Sequence, residues 1–190
     1  LPGSERRIGK RRCRDAGVVM TAPITSQIEV EPGIFLSATT RGDTRKPALV
    51  FSNSLAAEQH MWDRVIEVLG TRSCVVTYDT RGHGSSAVPD TALSIARLGE
   101  DVIGLLDRLD ISKACFCGLS LGGLTGMWLA AHYPDCLSGL VLANTASSFP
   151  PASMWQERAR AAREKGLAGL VDATLERWFT SDFRADHPDV

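Results

Sequence analysis

Near the middle of the chain, Gly118-Leu119-Ser120-Leu121-Gly122 form a G-x-S-x-G run. A serine in such a run can act as a nucleophile if its backbone is held on a sharp turn and its hydroxyl is presented beside a base. The flanking residues supply the setting. Lys113-Ala114-Cys115-Phe116-Cys117 reads as a short buried strand, and Leu121 to Tyr133 is apolar, rich in small residues and ended by Pro134, as a buried helix is. Strand, serine, helix is the order of a nucleophile elbow. There the central residue has a strained backbone, and a Cβ on either flank would collide with a neighbouring element. Gly123 and Gly126 continue the small face, so that the helix can pack close to a sheet. The bland alternative is a flexible Gly/Ser turn without chemistry, which the ordered flanks disfavour.

The elements that would position Ser120 follow from periodicity. Ser26–Glu31 and Ile34–Thr39 alternate around Pro32-Gly33 as an antiparallel hairpin. Ala48–Ser52 and Ser73–Tyr78 read as short apolar strands. Between them Glu58–Leu69 places Trp62, Val65, Ile66 and Leu69 on one helical face. A glycine-rich loop, Asp79-Thr80-Arg81-Gly82-His83-Gly84, follows. Ile95, Leu98, Val102, Leu105 and Leu109 then mark an amphipathic helix, and Leu137–Ala143 a further strand. The alternation from residue 48 onward predicts an α/β fold with a mostly parallel, doubly wound sheet. After Asn144 the pattern changes. Pro150-Pro151 interrupts it, and Ala152–Phe179 is helical, with Trp155 and Trp178 as its large apolar residues, as expected of the start of a lid over the carboxyl ends of the strands. The expected organisation is a disordered basic extension over 1–19, a core over 20–146 and a partial helical cap over 147–190.

The chain has 190 residues, 44% hydrophobic and 23% charged, with a formal net charge of −1. No run approaches the roughly 18 apolar residues of a membrane span, and no membrane association is expected. Six basic residues crowd the first 14 positions against a single acid, Glu5, leaving the remainder acidic and a poor match for nucleic acid. The basic head lacks the apolar stretch of a secretory signal. Met20-Thr21-Ala22-Pro23 reads as a natural start, which makes the head an upstream extension. The five cysteines show no metal-ligand spacing; Cys115 and Cys117 share one strand and two of the others sit in strand-like apolar runs, as small buried hydrophobes of a reducing, cytoplasmic compartment do. No metal and no cofactor are expected.

Several segments together resemble the 3-oxoadipate enol-lactonases, α/β-hydrolases of the β-ketoadipate route of aromatic catabolism. They are Ser52-Asn53-Ser54-Leu55 leading to His60-Met61-Trp62-Asp63, Tyr78-Asp79-Thr80-Arg81-Gly82-His83-Gly84, Cys117 to Gly123, Leu142-Ala143-Asn144-Thr145-Ala146 and Arg177-Trp178-Phe179-Thr180. Ser-Asn-Ser-Leu is the more specific element, because most relatives carry His-Gly there. The resemblance implies that Ser120 attacks a lactone carbonyl, with backbone N–H groups of Leu121 and Leu55 forming the oxyanion hole. Trp155 is a candidate for the substrate pocket and equally for plain packing. Arg81 would meet a substrate carboxylate or, more in keeping with its position, form a buried ion pair, with Asp79 as a possible partner. His60 and His83 are expected to be structural, and His132 lies at the wrong end of its helix.

The resemblance implies the order serine, acid, histidine, with the acid after a seventh strand and the histidine beyond an eighth, neither of which is reached by Val190. Asn144 occupies the position after the sixth strand, which carries the acid in some relatives, and His187 falls within the lid portion of the match. The chain therefore reads as a C-terminally truncated enol-lactonase of doubtful activity, with Leu140-Val141-Leu142 left as a charge-free sheet edge. Two alternatives remain: another hydrolase of the fold, acting on a simple ester or a carbon–carbon bond, and an inactive fragment that at most binds small molecules.

Overall fold

The computed structural model describes residues 22–43, 45–69, 73–149 and 151–188; the basic extension expected over 1–19 lies outside them. The chain divides into two units, one ending at Ala146 and one beginning at Ser147.

The first unit is built on a six-stranded sheet in the order β1-β2-β4-β3-β5-β6. The strands are β1 (Ile24–Glu31), β2 (Ile34–Arg41), β3 (Ala48–Ser52), β4 (Cys74–Tyr78), β5 (Ala114–Leu119) and β6 (Leu137–Ala143). The β1–β2 hairpin turns at Pro32-Gly33, where Gly33 has φ 79°, a conformation that suits a residue without a Cβ. β2 also pairs antiparallel with β4, whereas β4, β3, β5 and β6 run parallel to one another. The expected α/β architecture is thus present, and the parallel half carries the elbow.

Alternation along β3 sends Val50 to one face and Phe51 to the other. On the first face Leu36, Val50, Val76, Tyr78 and Phe116 pack with Val102 and Leu105 of α2 (Ile95–Arg108) and Leu129 of α3 (Leu121–His132). Ser94 caps α2 by accepting the N–H of Arg97 at 3.1 Å. The opposite face is smaller: Phe51 and Val75 meet Trp62, with Met61 and Ile66 against them. The helix expected over Glu58–Leu69 is a 3₁₀ turn, Gln59–Trp62, followed by α1 (Asp63–Leu69). Of its predicted apolar face only Trp62 and Ile66 pack; Val65 and Leu69 are each 41% exposed. The helix has barely two turns and docks through its beginning, so periodicity names a face that its second half does not bury. β6 is the outer strand of the described sheet, with Val141 and Leu142 exposed.

Arg81 is nearly fully buried, and its partners differ from the one suggested by sequence proximity. Its guanidinium forks onto Asp101 of α2 through Nε and Nη2, while Nη1 donates to Glu31 at the end of β1 at 2.7 Å. Arg97 donates to the other oxygen of Glu31 at 2.8 Å. Asp79 has a separate task, because its two carboxylate oxygens accept the backbone N–H groups of Gln59 and Ser85 at 2.8 and 2.9 Å. The ion pairs thus join β1, the glycine-rich loop and α2, and they engage all three guanidinium nitrogens of the buried Arg81 in structural contacts.

The second unit is helical: α4 (Ala152–Lys165), a 3₁₀ turn, α5 (Val171–Trp178) and α6 (Ser181–Asp186). Gly166 at φ 72° ends α4, and the Thr180 hydroxyl caps α6 by accepting the N–H of Phe183 at 3.2 Å.

The Arg81 hydrogen bond, followed by the nearby charges of Arg81 and Arg97, holds the Glu31 carboxyl below its ordinary value of 4.5. A carboxyl depressed on folding stabilises the native state above its unfolded pKa, and that contribution fades as pH falls through the folded value. Glu31→Gln should therefore lower Tm by about 2 °C at pH 7, a small shift because the carboxylate is partly screened by solvent. The gap between variant and parent should narrow below about pH 4.5 in thermal melts; a gap that stays constant from pH 7 to 3 would contradict the ionic origin of the effect.

Candidate active site

Ser120 stands between β5 and α3 with φ 53° and ψ −106°, a backbone conformation that costs a non-glycine residue about 1–3 kcal/mol. Three hydrogen bonds hold it there. Its N–H donates to Ala143 O of β6 at 3.0 Å, and its carbonyl accepts the N–H of Leu124 at 3.1 Å and the hydroxyl of Thr145 at 2.8 Å. The glycines on either side have a steric reason. A Cβ on Gly118 would lie 2.2 Å from Gly122 O, and one on Gly122 only 2.3 Å from Ser52 O. At Gly123 it would strike the Thr145 side chain at 2.5 Å. The expectation of colliding flanks is met by named atoms. Thr145 is a residue that sequence reasoning missed: it pins the serine carbonyl and fills the space beside Gly123, and no periodic signal marks it.

The loop after β3 is drawn to the same place. Gly122 N–H donates to Asn53 O at 3.0 Å, joining the first turn of α3 to that loop. Asn53 is fully buried, and its amide is committed on both sides. Nδ2 donates to Tyr78 O at 3.0 Å, and Oδ1 accepts the indole N–H of Trp62 at 2.9 Å. Ser52 Oγ and the Tyr78 hydroxyl lie 2.8 Å apart, and burial pushes the Tyr78 phenol well above its usual range, so it remains a neutral hydrogen-bonding group. The Ser-Asn-Ser-Leu segment thus has a structural logic. Its first two side chains clamp the loop to β4 and Trp62, and Leu55 follows in a turn closed by Ala57 N–H on Ser54 O.

The two N–H groups expected to face a developing oxyanion are those of Leu121 and Leu55. Neither has a hydrogen-bond partner among the described residues, whereas Gly122 N–H beside the first is occupied by Asn53. Leu121 opens α3, whose N-terminal dipole favours negative charge. Backbone amides in such positions can stabilise a tetrahedral oxyanion without a cationic side chain.

The histidines are spent elsewhere. His60 Nδ1 pairs with Asp63 at 3.0 Å, and that hydrogen bond raises the imidazole above its usual range. His83 Nε2 accepts the N–H of Ala56, and His132 donates through Nδ1 to Trp128 O while its ring stacks on Trp128. Among the described residues no side chain hydrogen-bonds to Ser120 Oγ. Trp155, the sequence candidate for a substrate pocket, lies in the second unit; there its indole N–H donates to Phe149 O at 2.7 Å and Arg158 sits over its ring. A groove of about 360 Å³ between Ile103, Asp107, Ile111, His132 and Tyr133 lies at the carboxyl ends of α2 and α3, away from the serine at the amino end of α3. Among the described residues no cluster suited to a metal ion is found, and no helix is long and apolar enough to cross a membrane.

Removing the Asn53 amide should cost more than its size suggests, because Trp62 Nε1 and Tyr78 O would both be left buried and unpaired. Asn53→Ala is expected to destabilise the protein by about 2–4 kcal/mol in urea unfolding. A loss under about 0.5 kcal/mol would show that water replaces the amide without penalty.

Comparison with known proteins agrees with this geometry. Residues 47–183 match the family model described as alpha/beta hydrolase fold. The 3-oxoadipate enol-lactonase 2 of Acinetobacter baylyi is 45% identical over 157 residues, 83% of this chain and 59% of that protein. The 3-oxoadipate enol-lactonase 1 of the same organism is 43% identical over 80% of this chain and 56% of its own length. The crystal structure of the enol-lactonase from Burkholderia xenovorans LB400 superposes with a TM-score of 0.81 at 40% identity, covering 87% of this chain and 63% of that one. The chain therefore spans somewhat under two thirds of the length of these relatives. With the family model matched over most of its length and the elbow in place, the chain belongs to the α/β-hydrolase family.

Proposed function

We propose that this chain carries the nucleophile and oxyanion half of an enol-lactonase acting on the enol-lactone of 3-oxoadipate. The observation that supports it best is the pinned Ser120 turn with N–H groups at Leu121 and Leu55 that have no partner among the described residues, in a chain 45% identical over 157 residues to a 3-oxoadipate enol-lactonase. Ser120 Oγ bonds to the lactone carbonyl carbon, and the serine proton passes to a base. The carbonyl oxygen becomes an oxyanion that accepts from the Leu121 and Leu55 N–H groups. Collapse of this intermediate breaks the ring carbon–oxygen bond and releases an enol, still tethered as the acyl group of Ser120. The enol oxygen takes from the base the proton that the serine gave up, and the shift of that proton from oxygen to carbon makes the ketone. Water then adds to the acyl carbonyl, freeing 3-oxoadipate and returning the proton to Ser120.

An enol leaves far more readily than an alkoxide, so the first half of the reaction asks little of a general acid. The serine proton is the harder demand. None of the described histidines hydrogen-bonds Ser120 Oγ, so what the described residues supply to the first half-reaction is the nucleophile and the oxyanion donors rather than the base. Removing a triad member elsewhere leaves about 10³–10⁴-fold acceleration over water, contributed by the oxyanion hole and by binding.

Mass spectrometry of the chain after incubation with the enol-lactone tests the proposal at the step these residues control. The expected result is a covalent adduct of the intact lactone mass, mapped to the peptide that holds Ser120 and absent in Ser120→Ala. An adduct on Cys115 or Cys117 instead, or undiminished labelling of Ser120→Ala, would reject Ser120 as the nucleophile.

A further inference from the structure

The hydrogen bond between Ala56 N–H and His83 Nε2, 3.0 Å long, joins two segments 27 residues apart. Ala56 follows Leu55 directly and has φ 63°, the left-handed region that a residue with a Cβ enters at a cost. The loop from Asn53 to Ala56 is therefore anchored firmly at its start, by the Asn53 amide and the Gly122 N–H, and strained at its end. Relaxing Ala56 toward negative φ would rotate the peptide planes around it, including those that orient the Leu55 N–H. Two contacts oppose this, the turn bond from Ala57 N–H to Ser54 O at 3.3 Å and, from outside the loop, the imidazole. Because a backbone N–H can only donate, Nε2 must present its lone pair, and the proton resides on Nδ1, 3.3 Å from Arg81 O. His83 is thus held as one tautomer between two backbone groups. Its own loop is fixed independently: Asp79 binds Ser85 N–H, His83 N–H donates to Thr80 O at 2.8 Å, and Arg81 is locked by Asp101 and Glu31.

We propose that His83 is a positioning residue for the oxyanion hole: its neutral imidazole holds the strained Leu55–Ala56 peptide so that the Leu55 N–H is preorganised toward the oxyanion. The proposal rests on Leu55 being an oxyanion donor and Ser120 the nucleophile. His83 neither touches the substrate nor takes the serine proton. It acts through the Ala56 N–H, and the chemistry required is an uncharged acceptor at the Nε2 position. Glutamine can place its Oε1 close to that position, whereas alanine offers nothing. A protonated imidazole would turn a donor toward the Ala56 N–H and release the loop.

Three variants and two measurements test this. The rate of Ser120 acylation at saturating enol-lactone is followed by mass spectrometry, and amide exchange at Ala56 by NMR, for the parent chain, His83→Ala, His83→Gln and Ser120→Ala. His83→Ala should slow saturated acylation by about tenfold or more, with the roughly 10²–10³ of losing one oxyanion donor outright as the upper bound. The half-saturating concentration should change little, and Ala56 should lose its exchange protection. His83→Gln should recover most of the rate together with that protection. Ser120→Ala should give no adduct while Ala56 stays protected. Parent-like acylation in His83→Ala with the Ala56 amide exposed would overturn the proposal, as would failure of His83→Gln to restore the rate while Ala56 is protected. Labelling that persists in Ser120→Ala would instead overturn the underlying assignment of the nucleophile.

Discussion

The hydrogen bond from Gly122 N–H to Asn53 O, 3.0 Å long, brings the loop after β3 to the first turn of α3. Two backbones can approach this closely only because Gly122 has no side chain; a Cβ there would lie 2.3 Å from Ser52 O. On one side of the contact is Leu121 and on the other, two residues past Asn53, Leu55. The proposed oxyanion hole is therefore a consequence of an inter-element contact made of main chain. Side chains enter as clamps. Asn53 holds the loop to Tyr78 and Trp62, and Thr145 holds the Ser120 carbonyl from beyond β6.

Strain and its support sit side by side in this arrangement. Ser120 at φ 53° and Ala56 at φ 63° are both residues with a Cβ in the left-handed region, each on one of the segments joined through Gly122. Each is held by hydrogen bonds reaching to a different strand or loop: Ser120 to β6 and Thr145, Ala56 to His83. Conformations of this kind persist when the surroundings over-determine them. The buried Arg81–Asp101–Glu31 cluster serves that end at one remove. It fixes the loop carrying His83 against α2 and β1, which in turn are packed into the larger of the two cores.

The elbow was legible in the sequence because everything that defines it is local: five residues, a strand before and a helix after. Equally local are the alternation that marks β1 and β2, the apolar run of β6 and the regular apolar spacing of α2, and those elements appear where the pattern puts them. What was not legible is long-range pairing. Arg81 lies two residues from Asp79, yet it pairs with Asp101 and Glu31, which only the fold brings near. His83 was readable as structural, but not as the acceptor for Ala56. Val65 and Leu69 show a further limit: helical periodicity identifies an apolar face without specifying whether a neighbour covers it. Thr145 illustrates a third. A threonine just past a strand carries no sequence signal for the carbonyl it will bind.

The central claim is that close backbone contact at Gly122 assembles the proposed site, and Gly122→Ala addresses it with one methyl group. The decisive measurement is the saturated rate of Ser120 acylation by the enol-lactone in that variant, with circular dichroism confirming that the sheet and helices are retained. The account predicts a folded protein whose acylation rate falls about 100-fold or more, the scale of a lost oxyanion donor, with exchange protection of the residue-122 amide lost. A folded Gly122→Ala protein that acylates at the parent rate would contradict it, since the loop and the helix would then present their N–H groups without touching.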